Sequence, residues 1–100
     1  MQGLRSISIH HHHFPLETIG DFSIADELLH DTLSNLRSEF GIKEIMYLGT
    51  CNRVEFIFTL PHFVCPGFTF QFLQKIQPNF SEGVLKGIAS KTLRFNEDEA

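Results

Sequence analysis

From Val54 to Leu60 the chain alternates Val54, Phe56, Phe58 and Leu60 with Glu55, Ile57 and Thr59. This two-residue period makes one face of an extended strand almost wholly apolar. Pro61 follows, and a residue without an N–H to give a ladder ends the strand. Such a strand requires partners for its backbone and a cover for its apolar face. Partner strands are predicted at Leu4 to Ile9, with Leu4, Ile7 and Ile9 apolar, at Lys43 to Leu48, and at Thr92 to Phe95. A cover is predicted from Ile24, Leu28, Leu29, Leu33, Leu36 and Phe40, which recur at helical spacing and stop at Gly41. Ser23 with Asp26 resembles a capping box at its start, after a loop running from Pro15. Phe68, Phe72, Leu73 and Ile76 predict a short helix that Pro78 breaks. Ser81 is placed to cap a second, containing Val84, Leu85 and Ile88.

The order strand, helix, strand, strand, helical region, strand is the split β-α-β unit repeated. The fold class expected is α+β and ferredoxin-like, a four-stranded antiparallel sheet with helices on one face. One hundred residues hold one such domain, 1–100. Phe supplies eleven of the twelve aromatic residues and Trp is lacking, so phenylalanine is expected to build much of the core. No apolar run reaches the roughly 20 residues that cross a bilayer. The first residues also lack the basic start and apolar stretch of a signal peptide, so a cytoplasmic setting is expected, with no membrane partner. The net charge of −4 argues against a strong nonspecific grip on nucleic acid.

Two cysteines, Cys51 and Cys65, occur. In a reducing compartment such thiols are catalytic, ligating or buried rather than bridged. Cys65, between Val64 and Pro66, reads as a buried or partly buried loop thiol. Cys51 lies in Gly49-Thr50-Cys51-Asn52-Arg53, between two predicted strands, and Gly49 and Asn52 suit a turn there. A thiol at a strand end is held by the sheet yet open to solvent, and a thiolate attacks carbonyl carbon well and leaves readily. Arg53 can favour the anion or bind a substrate carboxylate with its planar fork of donors. Thr50 and Asn52 add a hydroxyl and an amide to orient a polar group. The competing reading of a lone cysteine is a small buried hydrophobe.

Other chemistry-bearing residues take plainer readings. Adjacent positions on a strand alternate faces, so His10 to His13 are not expected to converge on one ion. The run reads as a solvated loop, with no metal site. His30 and His62 read as surface residues. Phe68, Phe70 and Phe72 are expected to pack in the core rather than stack on bases, because basic residues are scarce around them. Glu55 reads either as an exposed edge charge or as a support for Arg53.

Leu48-Gly49-Thr50-Cys51-Asn52-Arg53-Val54-Glu55 resembles the signature of the glutamyl-tRNA reductases, whose usual form is Leu-Ser-Thr-Cys-Asn-Arg-Thr-Glu. Upstream, His11 stands four residues before Pro15, similar to the family's His-Lys-Thr-Ala-Pro segment after a first strand. Departures are Gly49 for Ser, Phe14 for Ala, and Ile19-Gly20 where the family has Arg-Glu.

The resemblance implies an enzyme in which Cys51 attacks the aminoacyl ester of glutamyl-tRNA and forms a glutamyl thioester. NADPH then reduces the thioester to glutamate-1-semialdehyde, the precursor of 5-aminolevulinate and tetrapyrroles. It implies Arg53 on the glutamate carboxylate, Thr50 and Asn52 in the same pocket, and supporting places for Glu55 and His11. Without a Gly-x-Gly-x-x-Gly fingerprint, the chain is expected to hold the N-terminal catalytic domain alone. The NADPH-binding domain and the dimerisation helices would then be absent from it. For the full-length protein the resemblance implies a homodimer and handover of product to glutamate-1-semialdehyde aminomutase. A further histidine is expected just past Ala100. The alternative function is a noncatalytic ferredoxin-like binding or regulatory module.

Overall fold

A computed structural model describes residues 3–60 and 67–96. In chain order they form β1 (Gly3–His10), α1 (Leu16–Asp21), α2 (Asp26–Phe40), β2 (Glu44–Gly49), β3 (Arg53–Leu60), α3 (Phe68–Ile76), α4 (Glu82–Lys91) and β4 (Leu93–Asn96). The alternating stretch Val54 to Leu60 lies in β3, which takes an interior place in the sheet order β2-β3-β1-β4. β1 runs antiparallel to it from Gly3↔Leu60 to His10↔Arg53. β2 flanks it on the other side from Glu44↔Thr59 to Gly49↔Val54. The short β4 lies along the outer edge of β1, from Arg5↔Asn96 to Ser8↔Leu93. Two helices occupy each crossover; both helices of the second, α3 and α4, were expected, while α1 of the first was not.

Residues directly opposite each other in a ladder share a face. Ile7 faces Phe56 and Ile9 faces Val54, and all four are buried along with Phe58. The apolar face read from the sequence is therefore the core face. Against it lie Leu36 of α2, Phe72 and Leu73 of α3, and Leu85, Ile88 and Ala89 of α4. Phe72 is the hub. Its ring centroid stands 5.1 Å from Phe56, 5.5 Å from Phe58, 5.7 Å from Phe40 and 5.8 Å from Phe68. Edge-to-face and offset contacts of this kind add to the burial of area. Phe70, on the same helix, is partly buried, with the Lys86 ammonium 5.8 Å above its ring. On the opposite sheet face Met46 and Leu48 are exposed.

Three local expectations need correction. Residues 16–21 form α1, although the segment reads as loop. Pro15 stands at its N-cap position, and burial of Ile19 and Phe22 holds the short helix down. The cap of α2 is Ala25 rather than Ser23. Ser23 Oγ instead donates to Ile19 C=O at 3.1 Å, a carbonyl in the last turn of α1 that also accepts Phe22 N–H. Leu28, counted in the helical stripe, is 58% exposed. α2 lies over the β2 edge, and Leu36 is the side chain it buries. Gly41 ends α2 in the left-handed conformation, φ 66°, and Ser81 Oγ caps α4 by accepting from Val84 N–H, both as expected.

Pro61, His62 and Cys65, and the acidic Glu97-Asp98-Glu99, lie outside the described residues. Among the described residues no helix is long and apolar enough to cross a membrane.

Phe72→Ala should lower unfolding free energy by about 3–5 kcal/mol, the cost of deleting a buried aromatic ring. Leu28→Ala should stay within about 1 kcal/mol, as expected for an exposed side chain. Urea denaturation of the two variants checks this; similar losses would mean the core is not centred on Phe72.

Candidate functional site

The β2–β3 hairpin turns at Thr50-Cys51-Asn52-Arg53. Thr50 N–H donates to Arg53 C=O at 2.8 Å, closing the ends. Thr50 Oγ1 accepts from Asn52 N–H at 3.2 Å, so the hydroxyl shapes the turn from inside. Residues Leu48 to Arg53 are all exposed, and Cys51 is a free thiol at the tip.

Gly49 does not serve the turn, contrary to the sequence reading. It is the last residue of β2, and it is not among the residues of positive φ. Its small size makes room for Tyr47, two residues back on the same face. A Cβ at position 49 would overlap the Tyr47 hydroxyl and ring. The Tyr47 oxygen accepts the Ile24 N–H at 2.9 Å, ahead of α2, and the ring meets Phe56 at 5.4 Å. The hairpin arm is thereby tied to the start of the long helix.

Arg53 and Glu55 alternate onto one side of β3, and their charged groups meet at 3.6 Å between Nε and Oε1. Arg53 is about half exposed, and Glu55 is mostly covered. Of the two readings of Glu55, the support for Arg53 is the one with a contact behind it. Across the sheet, Arg53 stands opposite His10.

The histidine run adjoins this hairpin. His11 N–H donates to Asn52 C=O at 3.0 Å, docking the end of β1 on the loop that carries Cys51. The His13 and Phe14 N–H groups both donate to His10 C=O, at 3.0 and 3.1 Å, and Phe14 is buried beneath the turn. His12 N–H donates to His10 Nδ1 at 3.2 Å. The rings of His10, His11 and His12 crowd together with centroids 4.2 to 4.8 Å apart; His10 and His12 stack, and the other pairs are tilted by 32°. The expectation that strand alternation keeps these side chains apart does not hold, because the strand ends at His10 and a turn gathers the next two. Desolvation, then the neighbouring His11 and His12, then Arg53 and His13, hold the His10 pKa below the ordinary histidine value.

Thr50, Cys51, Asn52 and Arg53 thus share one turn, Glu55 joins it through Arg53, and His11 joins it through its backbone. Tyr47 and His10 escaped the sequence reading. An aromatic residue two positions before a strand glycine was the available signal for Tyr47; His10 needed the β1–β3 register.

A family model of the glutamyl-tRNAGlu reductase N-terminal domain matches residues 7–99. The chain belongs to this family. A stretch of 59 residues is 37% identical to the glutamyl-tRNA reductase of Halorhodospira halophila (strain DSM 244 / SL1), covering 59% of this chain. The chain spans 13% of the length of that curated relative. Within the family frame, both segments that resemble its signatures, around His11 and around Cys51, meet at one end of the sheet through the His11–Asn52 bond.

Gly49→Ala should destabilise the domain, reversing the gain of roughly 0.5–1 kcal/mol that alanine gives over glycine inside a strand. In a Tyr47→Leu background the same substitution should cost nothing. A double-mutant cycle by thermal denaturation reads the coupling; additive effects would show that Tyr47 does not depend on Gly49.

Proposed function

We propose that this domain supplies the nucleophile of an NADPH-dependent glutamyl-tRNA reductase, with Cys51 as the attacking thiol. The observation that carries the reading is an exposed, free Cys51 at the tip of a hairpin tied to the end of β1 and the start of α2, two positions before Arg53. A cytoplasmic, reducing setting suits such a thiol.

The acyl transfer runs as follows. The Cys51 thiol gives up its proton, and the thiolate attacks the ester carbonyl carbon that joins glutamate to the tRNA ribose. A carbon–sulfur bond forms, the carbonyl electrons move onto oxygen, and the tetrahedral adduct collapses. The ester carbon–oxygen bond breaks, the ribose oxygen takes a proton, and tRNA leaves a glutamyl thioester on Cys51. Sulfur donates less into the carbonyl than oxygen does, so the thioester is the better hydride acceptor. Reduction of that acyl group gives glutamate-1-semialdehyde, the precursor of 5-aminolevulinate.

Arg53 fits the side-chain carboxylate of the incoming glutamate. Its guanidinium is half exposed, and its pairing with Glu55 leaves donors of the planar fork available. Thr50 and Asn52 are assigned to substrate contact at the same turn, with Thr50 also holding the turn's shape. His11 acts here through its backbone, positioning the loop.

NADPH does not fit this chain's residues. The sheet is antiparallel and the sequence has no Gly-x-Gly-x-x-Gly segment, so the dinucleotide is assigned to another part of the longer enzyme. Homodimerisation and handover to an aminomutase are likewise assigned there.

In the full-length enzyme given glutamyl-tRNA without NADPH, mass spectrometry should find one glutamyl group on the Cys51 peptide. Cys51→Ser should remove the adduct and lower semialdehyde formation by at least about a thousandfold. Retained activity in that variant would end the proposal. Arg53→Lys should raise KM or lower kcat for glutamyl-tRNA by about tenfold, because a point charge replaces a fork; unchanged kinetics would remove Arg53 from the substrate.

A further inference from the structure

The three rings gathered at the end of β1 form a cluster that acyl transfer does not use. His10, His11 and His12 each offer one imidazole nitrogen, and these atoms all lie within 4.8 Å of one another. The backbone that presents them is fixed. His10 is the last residue of β1, His11 N–H is bound to Asn52 C=O, and two N–H groups close the turn onto His10 C=O. Phe14, buried just beyond, anchors the segment to the core.

We propose that His10, His11 and His12 bind one ion of a borderline divalent transition metal, of the zinc, nickel and copper class. Neutral imidazole suits these metals, whereas magnesium and calcium prefer oxygen ligands. Metal–nitrogen bonds of about 2.0–2.1 Å put neighbouring ligand nitrogens about 3.4 Å apart in a tetrahedral site. Closing from 4.8 Å to that spacing takes rotation of the rings about their own side-chain bonds. His11 and His12 are exposed and free to make it. His10 Nδ1 now accepts the His12 N–H, so binding at His10 exchanges that hydrogen bond or moves the ring proton between its nitrogens. Water completes the coordination.

The charged and titratable groups facing His10 are His11, His12, His13 and Arg53. All favour a neutral imidazole there, the form a metal requires. Arg53, opposite His10, opposes a dication and moderates affinity.

The test is titration of this chain with Zn2+ and Ni2+ at pH 7.5, by calorimetry or by competition with a chromophoric chelator. One ion per chain is expected, with no binding of Mg2+. His11→Gln/His12→Gln should weaken binding at least about tenfold, since two of three protein ligands are lost. His13→Gln should change it less than about threefold, as a residue outside the ligand set. A linear peptide of residues 8–16 should bind at least about tenfold more weakly than the folded chain, because the fold pre-orders the ligands. Circular dichroism confirms that the variants, all at exposed positions, keep the fold. Absence of saturable binding, equal affinity in the double variant, an equal loss in His13→Gln, or equal affinity in the peptide would each overturn the assignment.

Discussion

The eight-residue pairing of β1 with β3 is the constraint on which the other features depend. A one-residue slip in this ladder would send Ile7, Ile9, Val54, Phe56 and Phe58 to the solvent side, because side chains alternate along a strand. Burial of those residues therefore excludes every odd-numbered slip of the ladder. The same register carries His10 to a position opposite Arg53 and brings His11 within hydrogen-bond reach of Asn52. Two segments about forty positions apart become one surface through this register.

A second tie runs from the hairpin to the helices. The Tyr47 hydroxyl accepts the Ile24 N–H, and its ring rests on Phe56, so β2 is joined to the start of α2 and to the core at once. Gly49 is the condition for this arrangement, since any side chain there would collide with the ring. In this chain Gly49 and Tyr47 therefore depend on each other. They keep the hairpin arm still while its tip remains exposed.

Much of this architecture was legible in the chain. Strands β1 to β4 and helices α2 to α4 follow from periodicity, from Gly41 and from the Ser81 cap, because each depends on local spacing and backbone preference. Features set by distant partners were not legible. α1 has six residues and depends on burial of Ile19 and Phe22 against elements read later in the chain. The Ser23 hydroxyl could accept from the first turn of α2 or donate back to α1, and it donates to Ile19 C=O. Leu28 matched the helical period but lies outside the area the sheet can cover. The cysteine turn was legible from its residue types, while its bracing by Tyr47 and its contact with the histidine run required the fold. His11 to His13 lie in an exposed turn, as a solvated loop would, but strand alternation does not govern them because β1 ends at His10.

The Arg53–Glu55 pair determines how open the turn is to an anion. A half-exposed guanidinium paired at 3.6 Å through one nitrogen gains little from the contact, in the range of about 0–1 kcal/mol for surface ion pairs. A carboxylate approaching the outer edge of the fork meets two parallel N–H donors, the stronger geometry. Glu55, mostly covered, holds the guanidinium beside the strand end that leads into the Cys51 turn. It does so without satisfying the guanidinium's outer donors. A buried, bidentate Glu55 would hold Arg53 more firmly and leave nothing for a substrate. A weak partner that orients the arginine while leaving its fork open is the arrangement that carboxylate recognition beside a nucleophile requires.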